Sequence, residues 1–172
     1  DNSAASATIG ATGGTWTGSN KAADASITLA SGSTWTGNNG GEDTSTTLTG
    51  SSTWTGNNTA ANVTANLTGS TWAGYNSGDG FTLSLNNSTW KNTGTSKAAS
   101  YTGTNGIIGM SDAASNGVNI ASYSGNTKVL YTHDTVTPTT IKGGTFTVGS
   151  AAAGSMITLQ TDNTGSTMTD ED

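Results

Sequence analysis

Residues that could catalyse a reaction are few in this chain. Its only histidine, His133, is followed by Asp134, and serines are frequent, so the residue types of a Ser-His-Asp triad are present. Neighbours on a strand point to opposite faces, so Asp134 is badly placed to orient the His133 imidazole. The G-x-S-x-G turn that presents a serine nucleophile does not occur in the sequence. We therefore predict no catalytic residues.

The acidic residues give no better candidate for cleaving a sugar or holding a metal. Glycoside hydrolysis needs two carboxyl groups within several ångströms of each other. The eleven acids of this chain are scattered, and the adjacent ones, Glu42-Asp43 and Asp170 to Asp172, fall in a loop and in the polar tail. No calcium-binding loop or nonapeptide repeat is present. The sequence predicts no enzyme activity, no cofactor and no metal site.

Hydroxyl and amide groups, in contrast, recur at fixed places around tryptophan, in near-copies of the phrase S-T-W-T-G-N-N. Threonines flank the first three tryptophans, and an asparagine follows four places after each of the first four. The residues are Thr15, Thr17, Thr34, Thr36, Thr53 and Thr55, and Asn20, Asn39, Asn58 and Asn76. In coils stacked about 4.8 Å apart, such side chains form ladders.

The tryptophans themselves set the period of the chain. Trp16, Trp35, Trp54, Trp72 and Trp90 are 18 or 19 residues apart. A short fixed period of this length, rich in β-branched and turn-forming residues, indicates a solenoid with one coil per repeat. We predict that the rings face the core and mark the phase of each coil, which turns the flanking threonines outward.

Short alternating segments precede the tryptophans, for example Ile27 and Leu29 before Trp35. Alternation of apolar and hydroxyl residues is typical of a half-buried strand. Each repeat therefore predicts a strand, a Gly/Ser corner, a short strand through S-T-W-T and a Gly/Asn turn. The fold expected is all-β, a single-stranded parallel β-helix of about 19 residues per coil.

Composition supports order and limits the partners. Disordered chains usually have a high net charge and many prolines. This chain has a net charge of −6, a charged fraction of 9% and one proline, so its composition favours an ordered structure. Five Lys and Arg residues against eleven acids disfavour nucleic acid as a partner. We expect one β-helix segment over 1–172, cut from a longer protein, with regular coils over 10–94, looser coils over 95–165 and a polar tail over 166–172.

The phrases Ser31 to Asn39, Ser51 to Asn58 and Leu67 to Gly74 resemble the rungs of bacterial autotransporter adhesin passengers, the pertactin-like and self-associating kinds. The resemblance covers about residues 10 to 92. It implies a right-handed coil and a passenger that its own outer-membrane β-barrel exports. Its place would be the outer face of the bacterial cell surface, or the medium if it is secreted.

The implied function is adhesion, autoaggregation or biofilm formation, with copies on neighbouring cells or a host protein or glycan as the partner. We expect the threonine and asparagine ladders to be the adhesion surface. One alternative stays open for the asparagines, and three stay open for the whole chain. The amides could stack internally, and the coil could be a structural stalk, a carbohydrate-active β-helix enzyme or an ice-binding solenoid with outward T-x-T pairs.

Overall fold

The computed structural model of the protein describes residues 1–110, 116–133 and 141–162. These residues form fifteen strands of one continuous sheet and no helix. Strand formation follows from the sequence, because Gly, Thr, Ser and Asn are poor helix formers and the apolar residues alternate with hydroxyl residues.

The first five coils, which we call the early coils, each contain a long strand of seven residues and a short strand of three or four. The short strand carries the tryptophan. The strands are β1 (Ser6–Thr12), β2 (Thr15–Thr17), β3 (Asp24–Ala30), β4 (Thr34–Thr36), β5 (Asp43–Thr49), β6 (Thr53–Thr55), β7 (Asn62–Thr68), β8 (Thr71–Gly74), β9 (Gly80–Asn86) and β10 (Thr89–Asn92).

The late coils follow a different plan. Here the long and short strands of a coil merge into one, as in β11 and β12, or stay separate, as in β14 and β15. The strands are β11 (Ser96–Gly109), β12 (Val118–His133), β13 (Ile141–Lys142), β14 (Phe146–Ala151) and β15 (Met156–Asp162).

Pairing between coils is parallel, with long strands on long strands and short strands on short strands. The long strands stack in the order β1-β3-β5-β7-β9-β11, and the short ones in the order β2-β4-β6-β8-β10-β11. Ser6 pairs with Asp24 and Asp24 with Asp43, offsets of 18 and 19 residues. The predicted parallel β-solenoid with about 19 residues per coil is confirmed. Only the short β13 runs antiparallel, against β12, among the described strands.

The core is a narrow column filled by one apolar side of each strand. Long strands bury alternate residues, so that Ile27 and Leu29 are fully buried while Ser26 and Thr28 are exposed. Successive tryptophan rings stack nearly parallel, with centroids 4.7 to 5.1 Å apart. Trp35, Trp54, Trp72 and Trp90 are fully buried, and Trp16 at the end of the stack is half-buried. Each buried ring removes roughly 150–250 Å² from water, about 4–6 kcal/mol before entropy is subtracted.

The corners between long and short strands are held by serine. The Ser33 hydroxyl donates to the Ala30 carbonyl at 2.6 Å, and the Ser33 amide donates to the Ser52 hydroxyl at 3.2 Å. Ser52, Ser70 and Ser88 are buried in the same position. The serine of the S-T-W phrase therefore satisfies backbone groups that the turn would otherwise bury unpaired.

The position two places after Trp54 requires glycine, because the backbone of the preceding coil lies too close for a side chain. A Cβ on Gly56 would overlap the Gly37 carbonyl oxygen of the coil before it. That carbonyl is also the acceptor of the Trp54 indole N–H, at 2.9 Å. The W-x-G spacing thus allows the rings of Trp35, Trp54, Trp72 and Trp90 to bond to the preceding coil.

Candidate binding surface

The asparagine column lies inside the solenoid. Asn20, Asn39, Asn58 and Asn76 are all fully buried, so they cannot form part of the expected adhesion surface, and that prediction is wrong for these four residues. The alternative, internal stacking, is what the structure has. The reason is that each amide satisfies buried groups: besides its ladder bond, the Asn20 Oδ1 accepts the Ala22 amide of its own turn.

A continuous hydrogen-bonded ladder joins these amides. Each Nδ2 donates to the Oδ1 of the next coil, at 2.8 Å from Asn20 to Asn39, 2.7 Å from Asn39 to Asn58 and 2.5 Å from Asn58 to Asn76. At its end the Asn76 amide donates to the Gly78 carbonyl at 2.8 Å and the Lys97 carbonyl at 2.6 Å. The ladder is an element of stability along the turns.

The threonines beside tryptophan lie on the outside. Thr15 pairs with Thr34 and Thr34 with Thr53, so that they form one column. The second column is Thr17, Thr36 and Thr55 in the same register. All of these are exposed except Thr34 and Thr53, which are partly so. The second column is interrupted after the third coil, where Ala73 and then Lys91 take the position.

A larger hydroxyl surface, which the sequence analysis did not assign to function, covers the outer side of the long strands. We call it the long-strand face and define it by one in-register column of hydroxyl residues and its neighbours. The column is Thr8, Ser26, Ser45, Thr64, Thr82, Ser100, Ser122 and Ser150. It crosses from the early into the late coils without a break.

A second column runs beside the first on this face, two residues further along each strand. Thr28, Thr47, Asn66, Ser84, Thr102 and Ser124 are in register there. The Thr102 and Ser124 hydroxyls are 2.9 Å apart and hydrogen-bonded. The signal that could have found this surface is the polar half of the same alternation that identified the strands.

A shallow groove of about 500 Å³ lies at the start of the long strands. Asp24 and Asp43 pair in register at its edge, and the Asn62 amide donates to the Asp43 carboxylate at 2.8 Å. The hydroxyls of Ser26, Ser45 and Thr64 continue its lining. The groove offers carboxylate and hydroxyl oxygens to a ligand, with amide donors only at its Asn62 end.

Two of the lysines form ion pairs on the surface. Lys21 contacts Asp1 with Nζ and Oδ2 2.9 Å apart, and Lys97 contacts Asp79. The hydrogen bond from Lys97, followed by its charge, lowers the pKa of the Asp79 carboxyl. Both pairs are exposed and link neighbouring coils, with little expected effect on stability.

Residues 1–110, 116–133 and 141–162 hold no candidate metal site. No group of three or more His, Asp or Glu side chains there could hold a metal ion. Asp134, the side chain of His133 and the tail acids Asp170, Glu171 and Asp172 lie outside what the structure describes. No helix in the described part is long and apolar enough to cross a membrane.

Neither family models, nor curated proteins, nor solved structures match this chain. The physical properties of the outer surface are therefore the basis for assigning a function.

Proposed function

We propose that this chain is a segment of a bacterial cell-surface adhesin that mediates adhesion, autoaggregation or biofilm formation through polar ladders on the outside of the solenoid. The observation that carries the proposal is the in-register column of hydroxyl residues on the long-strand face, together with the threonine columns beside the tryptophans. The partner is a copy on a neighbouring cell, or a host protein or glycan.

The chemistry of a hydroxyl suits contact between identical surfaces. Each hydroxyl both donates and accepts, so two copies of one ladder can bond to each other in either relative direction. A single hydrogen bond of this kind contributes about 0.5–1.5 kcal/mol. Ladders that engage many hydroxyls at once gain from multivalency, since every bond after the first forms at high effective concentration.

The spacing of the coils also favours self-recognition. Tryptophan stacking repeats every 4.7 to 5.1 Å along the rod. Two rods of the same chain share this repeat, so hydroxyls that match at one coil match at the next. A partner with a different repeat would lose register after a few coils.

Net charge sets the conditions for such contact. Copies that each carry −6 repel one another, and part of this negative charge, from the exposed Asp24, Glu42 and Asp43, lies beside the groove. Salt screens repulsion between exposed charges over about 8–10 Å at 0.10–0.15 M. Self-association should therefore strengthen when ionic strength rises from very low values.

A structural stalk is the second candidate. The buried asparagine and serine ladders favour it, because they satisfy the turns internally and make a regular rod that needs no external contact. In that case the outward hydroxyls contact only water, and a binding region outside this chain segment contacts the partner.

Clumping of beads coated with the purified 172-residue chain tests the proposal. We expect wild-type beads to aggregate, and replacement of Ser26, Ser45 and Thr64 by Ala to reduce aggregation by at least about tenfold, the loss expected when a few such bonds disappear together. A set of Thr17, Thr36 and Thr55 to Ala tests the short-strand column in the same way.

The matched controls keep the hydroxyls. Thr64→Ser combined with native Ser26 and Ser45 should aggregate like wild type, as should Thr17, Thr36 and Thr55 changed to Ser. If the Ala sets aggregate as strongly as wild type, hydroxyl ladders do not mediate contact. If wild-type beads neither aggregate nor retain any glycan or surface protein, the stalk replaces the adhesin.

A further inference from the structure

The two threonine columns beside the tryptophans continue into the late coils, where their composition changes. We call the outer surface formed by both columns the short-strand face. From β10 onward the first column is Thr89, Ile107 and Lys128, and the second is Lys91, Gly109 and Leu130. Lys91 and Lys128 are both exposed. The hydroxyl pattern of the early coils thus gives way to a surface with two cations.

These two lysines have no carboxylate partner among the described residues. The ion pairs found there use Lys21 and Lys97 instead. Neither column of the short-strand face holds an acidic residue in the described coils. The exposed acids Asp24, Glu42 and Asp43 are found at the start of the long strands. Positive charge is therefore concentrated on one surface of a chain whose net charge is −6.

A groove of about 330 Å³ lies beside Lys128. Half-buried Ile107 and exposed Thr158 form part of its lining. At its corner the Asn126 Oδ1 accepts the Asn105 amide at 2.6 Å, and the Asn126 Nδ2 has no acceptor in the described chain. The groove therefore presents an ammonium group and an amide donor beside an apolar side chain.

The spacing of the lysines indicates an extended ligand. Lys128 lies two coils beyond Lys91 and two residues to one side. With about 4.8 Å per coil and about 3.3 Å per residue, their Cα atoms are about 12 Å apart. The coil between them contributes Gly109 and the half-buried Ile107, so no long side chain separates the two ammonium groups. A ligand that contacts both needs anionic groups at intervals along its length.

From these features we propose that the short-strand face binds a linear acidic polysaccharide whose charged groups are carboxylates. Its carboxylates accept hydrogen bonds from Lys91 and Lys128, which are charge-assisted and therefore strong. Sugar hydroxyls bond to the Asn126 amide and the Thr158 hydroxyl, and the apolar face of a sugar ring covers Ile107. The proposal rests on the adhesin function, for which it names the class of glycan and the place of contact.

Nucleic acid suits this face poorly. Duplex DNA carries one negative charge for about every 1.7 Å of its axis, and its binding requires neutralisation of many phosphates. Two lysines about 12 Å apart neutralise few of them, and the net charge of −6 repels the rest. A polysaccharide has fewer charges and many hydroxyls, which match the hydroxyl and amide groups of the face.

The test uses the whole chain and a fluorescein-labelled hyaluronan oligosaccharide, in which every second sugar carries a carboxylate. Fluorescence anisotropy should show saturable binding that weakens as ionic strength rises. The matched neutral probe is the same oligosaccharide with its carboxyl groups reduced to alcohols. It should bind at least about tenfold more weakly, because it lacks the charge-assisted bonds.

Variants of the chain locate the binding. Lys91→Gln combined with Lys128→Gln should weaken hyaluronan binding at least about tenfold. Replacement of the same two lysines by Arg should preserve it, since the charge is kept. The matched control is Lys21→Gln combined with Lys97→Gln, which removes two exposed charges elsewhere and should leave binding nearly unchanged.

Three results would overturn the proposal. They are the absence of saturable binding, equal binding of the carboxyl-reduced oligosaccharide, and an equal loss of binding in the two Gln pairs. A DNA duplex that displaces the labelled probe as effectively as unlabelled hyaluronan would assign the face to nucleic acid instead.

Bead clumping separates this proposal from the contact between hydroxyl ladders. At 0.15 M salt, where charge repulsion is screened over about 8 Å, beads coated with the Lys91→Gln, Lys128→Gln variant should clump like wild type. If they clump and the wild-type chain does not bind hyaluronan, the glycan proposal alone is wrong. If wild-type beads do not clump but hyaluronan binding depends on the two lysines, the ladder contact alone is wrong.

Discussion

The early coils and the late coils solve the same packing problem with different aromatic residues. In the early coils every tryptophan ring but the first is fully buried, and each inner ring has a stacked partner on both sides. In the late coils Tyr101 and Tyr123 form a single stacked pair with centroids 5.5 Å apart. A continuous stack of rings requires the same number of residues in every coil, whereas an isolated pair allows the number of residues per coil to vary.

The number of residues per coil also differs between the early and the late coils. Early coils are offset by 18 or 19 residues, but Ser96 pairs with Val118, an offset of 22, and Val118 with Phe146, an offset of 28. The register also shifts between Gly103 and Gly106, which the pairing of β11 with β12 accommodates as an irregularity. Because parallel backbone pairing is common to both regions, we infer that the side-chain ladders of the early coils hold their period constant.

The largest expected effect comes from interrupting the tryptophan stack. Trp54→Ala should lower the free energy of unfolding by about 3–5 kcal/mol, because it leaves a cavity between two stacked rings. Tyr123→Ala should cost less, since Tyr123 stacks on one ring only among the described residues. Urea unfolding of both variants measures the difference, with the exposed Thr36→Ala as a control within about 0.5 kcal/mol of wild type. An equal cost for the two aromatic residues would remove the distinction between the regions.

An intermediate effect is expected from alkaline pH, which should act on the late coils first. Burial raises the pKa of the Tyr101 and Tyr123 phenols, although the Tyr101 hydroxyl also bonds to Thr127 Oγ1 at 2.7 Å. The unfolded chain therefore loses these protons near pH 10, before the folded chain does. Stability from the two tyrosines is complete below about pH 10 and is lost as pH rises above it.

Tryptophan emission follows the early coils alone, because all five tryptophans lie between residues 16 and 90. Near-ultraviolet dichroism of tyrosine should change at lower pH than this emission does. Tyr101→Phe should raise the pH at which the late coils unfold, and Tyr75→Phe, which changes an early coil, should not. Simultaneous loss of both signals, unaltered by Tyr101→Phe, would mean that the two regions unfold as one unit.

The smallest effect concerns a polar residue in the early core. The Thr46 hydroxyl is buried and has no hydrogen-bond partner, between Ile27 of one neighbouring coil and Ala65 of the other. Thr46→Val keeps the shape and removes the unpaired group, so we expect stabilisation by about 1 kcal/mol. Urea unfolding should show a higher midpoint, with exposed Thr28→Val as the matched control. A decrease in stability would indicate that Thr46 satisfies its hydroxyl in solution.

Prediction from sequence was most successful where residues share a strand with a tryptophan. On such a strand the side chains alternate, so an inward Trp35 places Thr34 and Thr36 on the outer side, where Thr36 is exposed and Thr34 partly so. The same alternation places Ile27 and Leu29 inward. The outer position of the hydroxyls on β3, β5 and β7 follows from this rule too.

The asparagines mark where that inference fails. Asn39 lies four residues after Trp35, beyond a glycine turn, and alternation does not continue through a turn because the chain changes direction there. Whether its amide faces water or the interior depends on the path of the turn and on the acceptors supplied by the coils above and below. The sequence could establish only that identical amides recur at one place per coil.

The sequence by itself determined the period, the strands and the inward phase of the tryptophans, because each of these depends on residue spacing within a single repeat. Only the tertiary structure decided that the asparagines form a buried ladder and that hydroxyls line up across the long-strand face. Those properties depend on contacts between coils, and such contacts exist only once the chain has stacked on itself.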